Sequence, residues 1–259
     1  MSIAGFTERA RAGGHSVRSW SVPGAVRLGL VAGLVLAAST STAAADARTR
    51  PRVKPTQEVV TLLAPHEALL KPFAGSAPLG LLQARRPITE ARTMLPVFGH
   101  KRSSDGRRWL HVGIPGRPNG RTGWISSGSA VVTVTYWRVV VDTSARLVSV
   151  YRHGRLIRVF TAIVGKPSTP TPLGNFFVEE SIKLGPRGIG GPYALALSAR
   201  SNVFQEFEGG PGQIALHGLM NVGGTLGTAA SHGCVRLGNG SMGWLVRRVG
   251  PGAPVTITR

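Results

Sequence analysis

Apolar side chains in this chain come in short β-branched or Leu-rich runs, punctuated by clusters of Gly, Pro, Asn, Asp and Ser. Val59 to Leu63, Leu79 to Leu82, Met94 to Phe98, Trp109 to Ile114 and Gly123 to Ile125 are separated by turn signals such as SSDG and PGRPNG. Short runs at this spacing predict a small all-β unit over 57–130. Trp109 and Trp124 fall at alternating strand positions, and core packing is the commoner use of such aromatics. A second unit, over 131–259, opens with WRVVVD, LVSVY and LIRVFTAIVG, joined by TSAR and RHGR turns. That pattern predicts a three-stranded meander.

Strands resume at Phe176 to Glu180, Tyr193 to Leu197, Ile214 to Leu216 and Val255 to Ile257. Between them lie 165–174, with three prolines that remove ladder donors and fix φ, and the Gly/Pro-rich 183–192. A helix is expected only near the end: Ser241 as its cap, Trp244, Leu245 and Val249 facing inward, and Gly250 with Pro251 ending it. The fold class is therefore mainly β, with one short helix.

The N-terminus reads differently. Arginines at 9, 11, 18 and 27, an apolar run from Leu28 to Ala38 and then Ala43, Ala44 and Ala45 follow the order of a secretory signal peptide. The apolar run is shorter than the roughly 20 residues that span a bilayer, so cleavage after Ala45 and an extracytoplasmic location in the cell envelope are expected. Residues 46–56, basic and Pro-containing, read as a flexible linker. Formal net charge is +20, and loss of 1–45 removes four arginines and one glutamate, leaving +17. Such an excess on an exported chain favours anionic envelope polymers as partners. Nucleic acid is not expected, because the chain is exported and no basic run with interleaved aromatics is present.

Chemistry concentrates in 214–237, IALHGLMNVGGTLGTAASHGCVRL, which holds the single cysteine. One cysteine cannot close an internal disulfide, so in an exported chain it pairs between chains, lies inert or reacts. Cys234 sits close to His232, Gly233 and Arg236, company suited to reaction. A thiolate is the nucleophilic form and needs a neighbouring base. His217 and His232 both qualify. Gly233 lets the main chain turn so that its amide and that of Cys234 face a developing oxyanion. Arg236 is a bidentate carboxylate binder by geometry, and Tyr193 stands as a border of the substrate groove. After Glu208 no Asp or Glu follows, so no carboxylate from this region completes a triad.

His217-Gly218, a loop, and Ser231, His232, Gly233, Cys234, Val235, Arg236 resemble the signature of the bacterial L,D-transpeptidases, the YkuD-type catalytic domain. The upstream STPTPLGNFFV at 168–178 is similar to a second family segment. The resemblance implies a β-sandwich or barrel catalytic domain. It makes Cys234 the nucleophile, His217 the base and the Gly218 carbonyl the group that orients it, with His232, Ser231, Arg236 and Tyr193 toward substrate. It further implies attack on the bond between the third, L-configured residue of a peptidoglycan stem and D-Ala, then transfer to an acceptor amine. No cofactor is implied, and carbapenems are expected to acylate the thiol. Where the family often has Asn-x-Asp, this chain has Asn239, Gly240, Ser241. Residues 107–125 resemble an SH3-like module.

Rival readings are water as acceptor, giving an L,D-carboxypeptidase; a zinc site from His217, His232 and Cys234; and a non-catalytic wall-binding protein. A papain-like peptidase fits less well still, since there the cysteine precedes its histidine and here the order is reversed.

Overall fold

The structure, a computed structural model, describes residues 53–206 and 210–259. The expected signal peptide over 1–45 and most of the expected linker over 46–56 lie outside them. Among the described residues, strands form two sheets, with one α-helix.

The first sheet contains β1 (Gln57–Leu62), β2 (His66–Leu69), β3 (Pro78–Leu82), β4 (Met94–Arg102), β5 (Arg108–Gly113), β6 (Thr122–Ser126) and β7 (Ala130–Thr135), in the order β3-β2-β6-β5-β4-β1-β7. Alternation drives it: Val60, Leu62, Leu95, Val97, Leu110, Val112 and Ile125 all turn into one core. Trp109 is buried as expected, its indole N–H donating to Ser103 Oγ at 3.0 Å. Trp124 is instead half-buried and stacked on the His111 ring. β7 pairs along the whole of β1, Gln57 opposite Thr135 and Leu62 opposite Ala130. The first sheet therefore continues to Thr135, past the boundary expected at 130, because AVVTVT is a β-branched edge strand paired with β1.

The second sheet contains β8 (Trp137–Asp142), β9 (Leu147–Arg152), β10 (Arg155–Gly165), β11 (Gly174–Lys183), β12 (Tyr193–Arg200), β13 (Gln213–His217), β14 (Ala229–Ser231), β15 (Val235–Leu237) and β16 (Pro254–Thr258). Its order is β14-β10-β15-β13-β12-β11-β16-β8-β9, and β10 also pairs with β9. The first part of β10, Arg155 to Thr161, forms the expected hairpin with β9, while Ala162 and Ile163 pair with β15. One long strand thus curls the sheet back on itself around Val139, Val141, Val148, Val150, Leu195, Leu197, Leu216 and Ile257.

Helix α1 (Asn239–Val246) lays Met242 and Leu245 into this core. Its N-cap is Gly238, with no side-chain cap hydrogen bond. Ser241 therefore lies inside the first turn and does not cap the helix, contrary to expectation. Val249 is buried beyond the helix, and Trp244 is half-buried with Phe160 edge-on to its ring.

β11 serves both sheets. Phe176 packs in the second core, and Phe177, on the opposite face of the strand, packs in the first. A bulge between Val178 and Glu180 then leaves both carboxylates of Glu179 and Glu180 buried. Glu179 takes an ion pair from Arg86 and a second from Arg200 at 2.8 Å. Glu180 Oε1 accepts from the Thr89 N–H at 2.6 Å and the Thr89 hydroxyl at 2.7 Å. Each buried charge is thereby compensated. Beside this fixed strand, the neighbouring β12, β13 and β15 of the second sheet carry the site.

Candidate active site

β13 and β15 run parallel and adjacent, with Leu216 opposite Val235 and His217 opposite Arg236. This pairing brings neighbouring strands together across seventeen residues of sequence: His217 ends β13, and Cys234 immediately precedes β15. An open cleft of about 610 Å³ is lined by both, together with His232, Arg236, Phe204, Ile189 and others. Cys234 is half-buried.

The His217 ring is fixed by its own neighbour, since Nδ1 lies 2.8 Å from the carbonyl oxygen of Gly218. A carbonyl can only accept, so Nδ1 carries the proton, and in the neutral ring Nε2 keeps its lone pair. Burial, and to a lesser extent the Arg236 charge, lower the His217 pKa below its usual 6.5, while the Gly218 carbonyl opposes them. The resting imidazole is neutral at pH 7, the form a base requires. The carbonyl supplies the orientation that a carboxylate gives in other triads.

Main chain from the 183–192 loop holds this arrangement. The Gly218 N–H donates to Gly190 O at 2.7 Å, and the Gly190 N–H to Met220 O at 2.7 Å. Gly190 has φ +79°, and a Cβ there would stand 2.3 Å from His217 Nδ1. At Gly218 a Cβ would come within 2.0 Å of Gly191 O. Gly190 lets the loop backbone pack flat against the imidazole, and Gly218 lets that loop close on the segment after His217. Asn221 donates to Pro186 O at 2.9 Å, and Asn239 Oδ1 accepts from the Leu219 N–H at 2.7 Å, tying the start of α1 to the residues after His217.

The turn into Cys234 is built around Ser231. That residue is fully buried; its hydroxyl donates to Cys234 O at 2.5 Å and accepts from the Gly233 N–H at 3.2 Å. Its carbonyl accepts from Lys166 N at 3.0 Å and Thr169 Oγ1 at 3.2 Å. Ser231 therefore shapes the turn and makes no wall of the cleft, so its expected substrate role is corrected: a hydroxyl with no accessible surface cannot meet a ligand. Gly233 takes φ +118°, the sharp turn expected. Its N–H is engaged with Ser231, and to serve an oxyanion it must exchange that long bond for the substrate oxygen.

His232 is exposed, 6.1 Å from Phe204 ring to ring, with Lys166 Nζ 3.5 Å from its Nε2. Arg236 lines the cleft, and its Nε is buried without a hydrogen-bond partner. Tyr193 is not in the cleft. It packs on the second core, with Cε2 about 4 Å from where a Cβ on Gly243 of α1 would stand, which corrects its expected place at the groove. Phe204, Ile189, Asn221 and Val222 line the cleft from loops, and sequence reasoning did not single them out. The one signal in the sequence was Ile189, an apolar residue between glycines; in the structure it is exposed. Among the described residues no group of three His, Cys, Asp or Glu side chains converges as a metal site.

Residues 136–257 match the family model described as YkuD, the L,D-transpeptidase catalytic domain. The chain is 27% identical over 164 residues to the YkuD protein of Bacillus licheniformis, covering 60% of this chain and 90% of that protein. It is 30% identical over 130 residues to L,D-transpeptidase 1 of Mycobacterium tuberculosis, covering 46% of this chain and 49% of that one. L,D-transpeptidase 3 of Mycobacterium tuberculosis, solved with a faropenem-derived adduct, aligns with a TM-score of 0.42 at 15% identity, over 64% of this chain and 91% of that one.

Proposed function

We propose that the chain is an exported peptidoglycan transpeptidase of the YkuD L,D-transpeptidase family, working through Cys234; the match of residues 136–257 to that family's model supports the reading. The observation that carries the reading is the His217 ring, locked by the Gly218 carbonyl in the tautomer that leaves Nε2 basic, on the strand next to the cysteine turn.

His217 Nε2 takes the thiol proton, and the Cys234 sulfur attacks the carbonyl carbon of the third, L-configured stem residue. The oxyanion is held by main-chain N–H groups at the Gly233–Cys234 turn; one such donor contributes about 10²- to 10³-fold in rate. As the C–N bond breaks, His217 returns the proton to the departing D-Ala amine, leaving a thioester. An acceptor amine from a second stem then attacks, gives its proton to His217 and releases the thiol, forming a 3→3 cross-link. Arg236 lines the cleft beside Cys234, and its guanidinium suits a stem carboxylate. The basic excess of the chain favours residence on anionic envelope polymers.

The test is turnover of a tetrapeptide stem by residues 46–259. D-Ala release with formation of a 3→3 dimer is expected, and Cys234→Ala abolishes both. Release without dimer makes water the acceptor. No release by the folded protein removes the reading.

A further inference from the structure

The β5–β6 loop of the first sheet contacts the segment that lines the cleft. Arg117 Nη2 donates to Ser201 O at 2.9 Å and to Phe204 O at 2.7 Å, and Nη1 donates to Pro211 O at 2.9 Å. Two residues on, Asn119 exchanges hydrogen bonds with the main chain of Arg200, Nδ2 to O and N to Oδ1, both at 2.8 Å. The Asn119 amide also lies 3.3 Å from Asn202 Oδ1.

Ser201 and Phe204 are lining residues of the cleft that holds Cys234, and the Phe204 ring faces the His232 ring. Three backbone carbonyls turned toward one point repel one another unless a cation sits among them. A guanidinium offers its fork of donors in fixed geometry, where a lysine offers a point charge. The position of this wall therefore depends on a side chain outside the catalytic sheet.

We propose that Arg117 is a positioning residue for the transpeptidase cleft: through Ser201, Phe204 and Pro211 it holds the wall beside His232 where the donor stem binds. This rests on the stem-peptide reading of the cleft. Arg117 touches neither Cys234 nor His217, so its loss weakens donor binding and leaves the chemical step in place. Such a loss appears in KM and not in kcat.

The experiment has two arms on residues 46–259. In turnover of the tetrapeptide stem, Arg117→Ala is expected to raise KM by about tenfold, the equivalent of one good hydrogen bond, with kcat close to parent; Arg117→Lys, keeping charge without the fork, falls between. A fall in kcat at unchanged KM marks a merely structural role and overturns the proposal, as does a parent-like KM. In the second arm, calorimetry compares tetrapeptide binding to Cys234→Ala and to Cys234→Ala with Arg117→Ala. Weaker binding to the double variant supports the proposal. Equal binding ends it while the transpeptidase reading stands, and no binding to Cys234→Ala ends both.

Discussion

Replacing Gly190 by alanine separates the two things this glycine does. Its φ of +79° costs any L-residue about 1–2 kcal/mol, and the new Cβ would lie 2.3 Å from His217 Nδ1. The contact is relieved only by moving the ring, which breaks the 2.8 Å bond to Gly218 O. Displacing a reacting group by about 1 Å costs on the order of 10²-fold in rate. Gly106 provides the control: φ is +83°, yet no heavy atom lies within 4 Å of its would-be Cβ. Both variants should lose comparable stability from backbone strain. Only Gly190→Ala should lose roughly 10² in the second-order rate of carbapenem acylation, followed by intact mass. Parent-like acylation by Gly190→Ala, at matched loss of Tm, would refute the claim that the Gly190–Gly218 backbone holds the base.

Three further outcomes follow from the same contacts. Acylation should fall as pH drops through the His217 pKa, which lies below 6.5; Arg236→Met removes a charge that lowers it, so the acid limb of the rate profile should move to higher pH. Glu179→Ala leaves the half-buried Arg86 and buried Arg200 guanidinium groups without their carboxylate, and thermal or urea denaturation should show a loss of about 3–5 kcal/mol. Ser231→Ala removes the acceptor of the Gly233 N–H and the donor to Cys234 O; a loss of about 1–3 kcal/mol is expected in the urea midpoint, with slower acylation because the cysteine turn loosens.

Strands that bury one face were legible from alternation, and so β1, β4, β5, β8, β9 and β16 stand close to where the residues place them. β14 and β15 were not, because three residues each, between glycines, have no period to read and exist only through pairing with β10 and β13. The sequence does not assign β7 to the first sheet, since Val131, Val132 and Val134 stay exposed and bury no face that marks their sheet. At the site, His217 and Cys234 were legible through motif chemistry, and both line the cleft. Ser231 and Tyr193 were misplaced because sequence shows which groups can bond, not which way they turn. Phe204 and Arg117 were invisible for a different reason: each acts through contacts made across more than 80 residues or between loops.

The most direct measurement is intact mass of residues 46–259, with Cys234→Ala and His217→Gln beside it, after incubation with a carbapenem. One adduct on the parent, none on Cys234→Ala and a slowed rate on His217→Gln are expected if the imidazole activates this thiol. An adduct on Cys234→Ala, or none on the folded parent, would contradict the account.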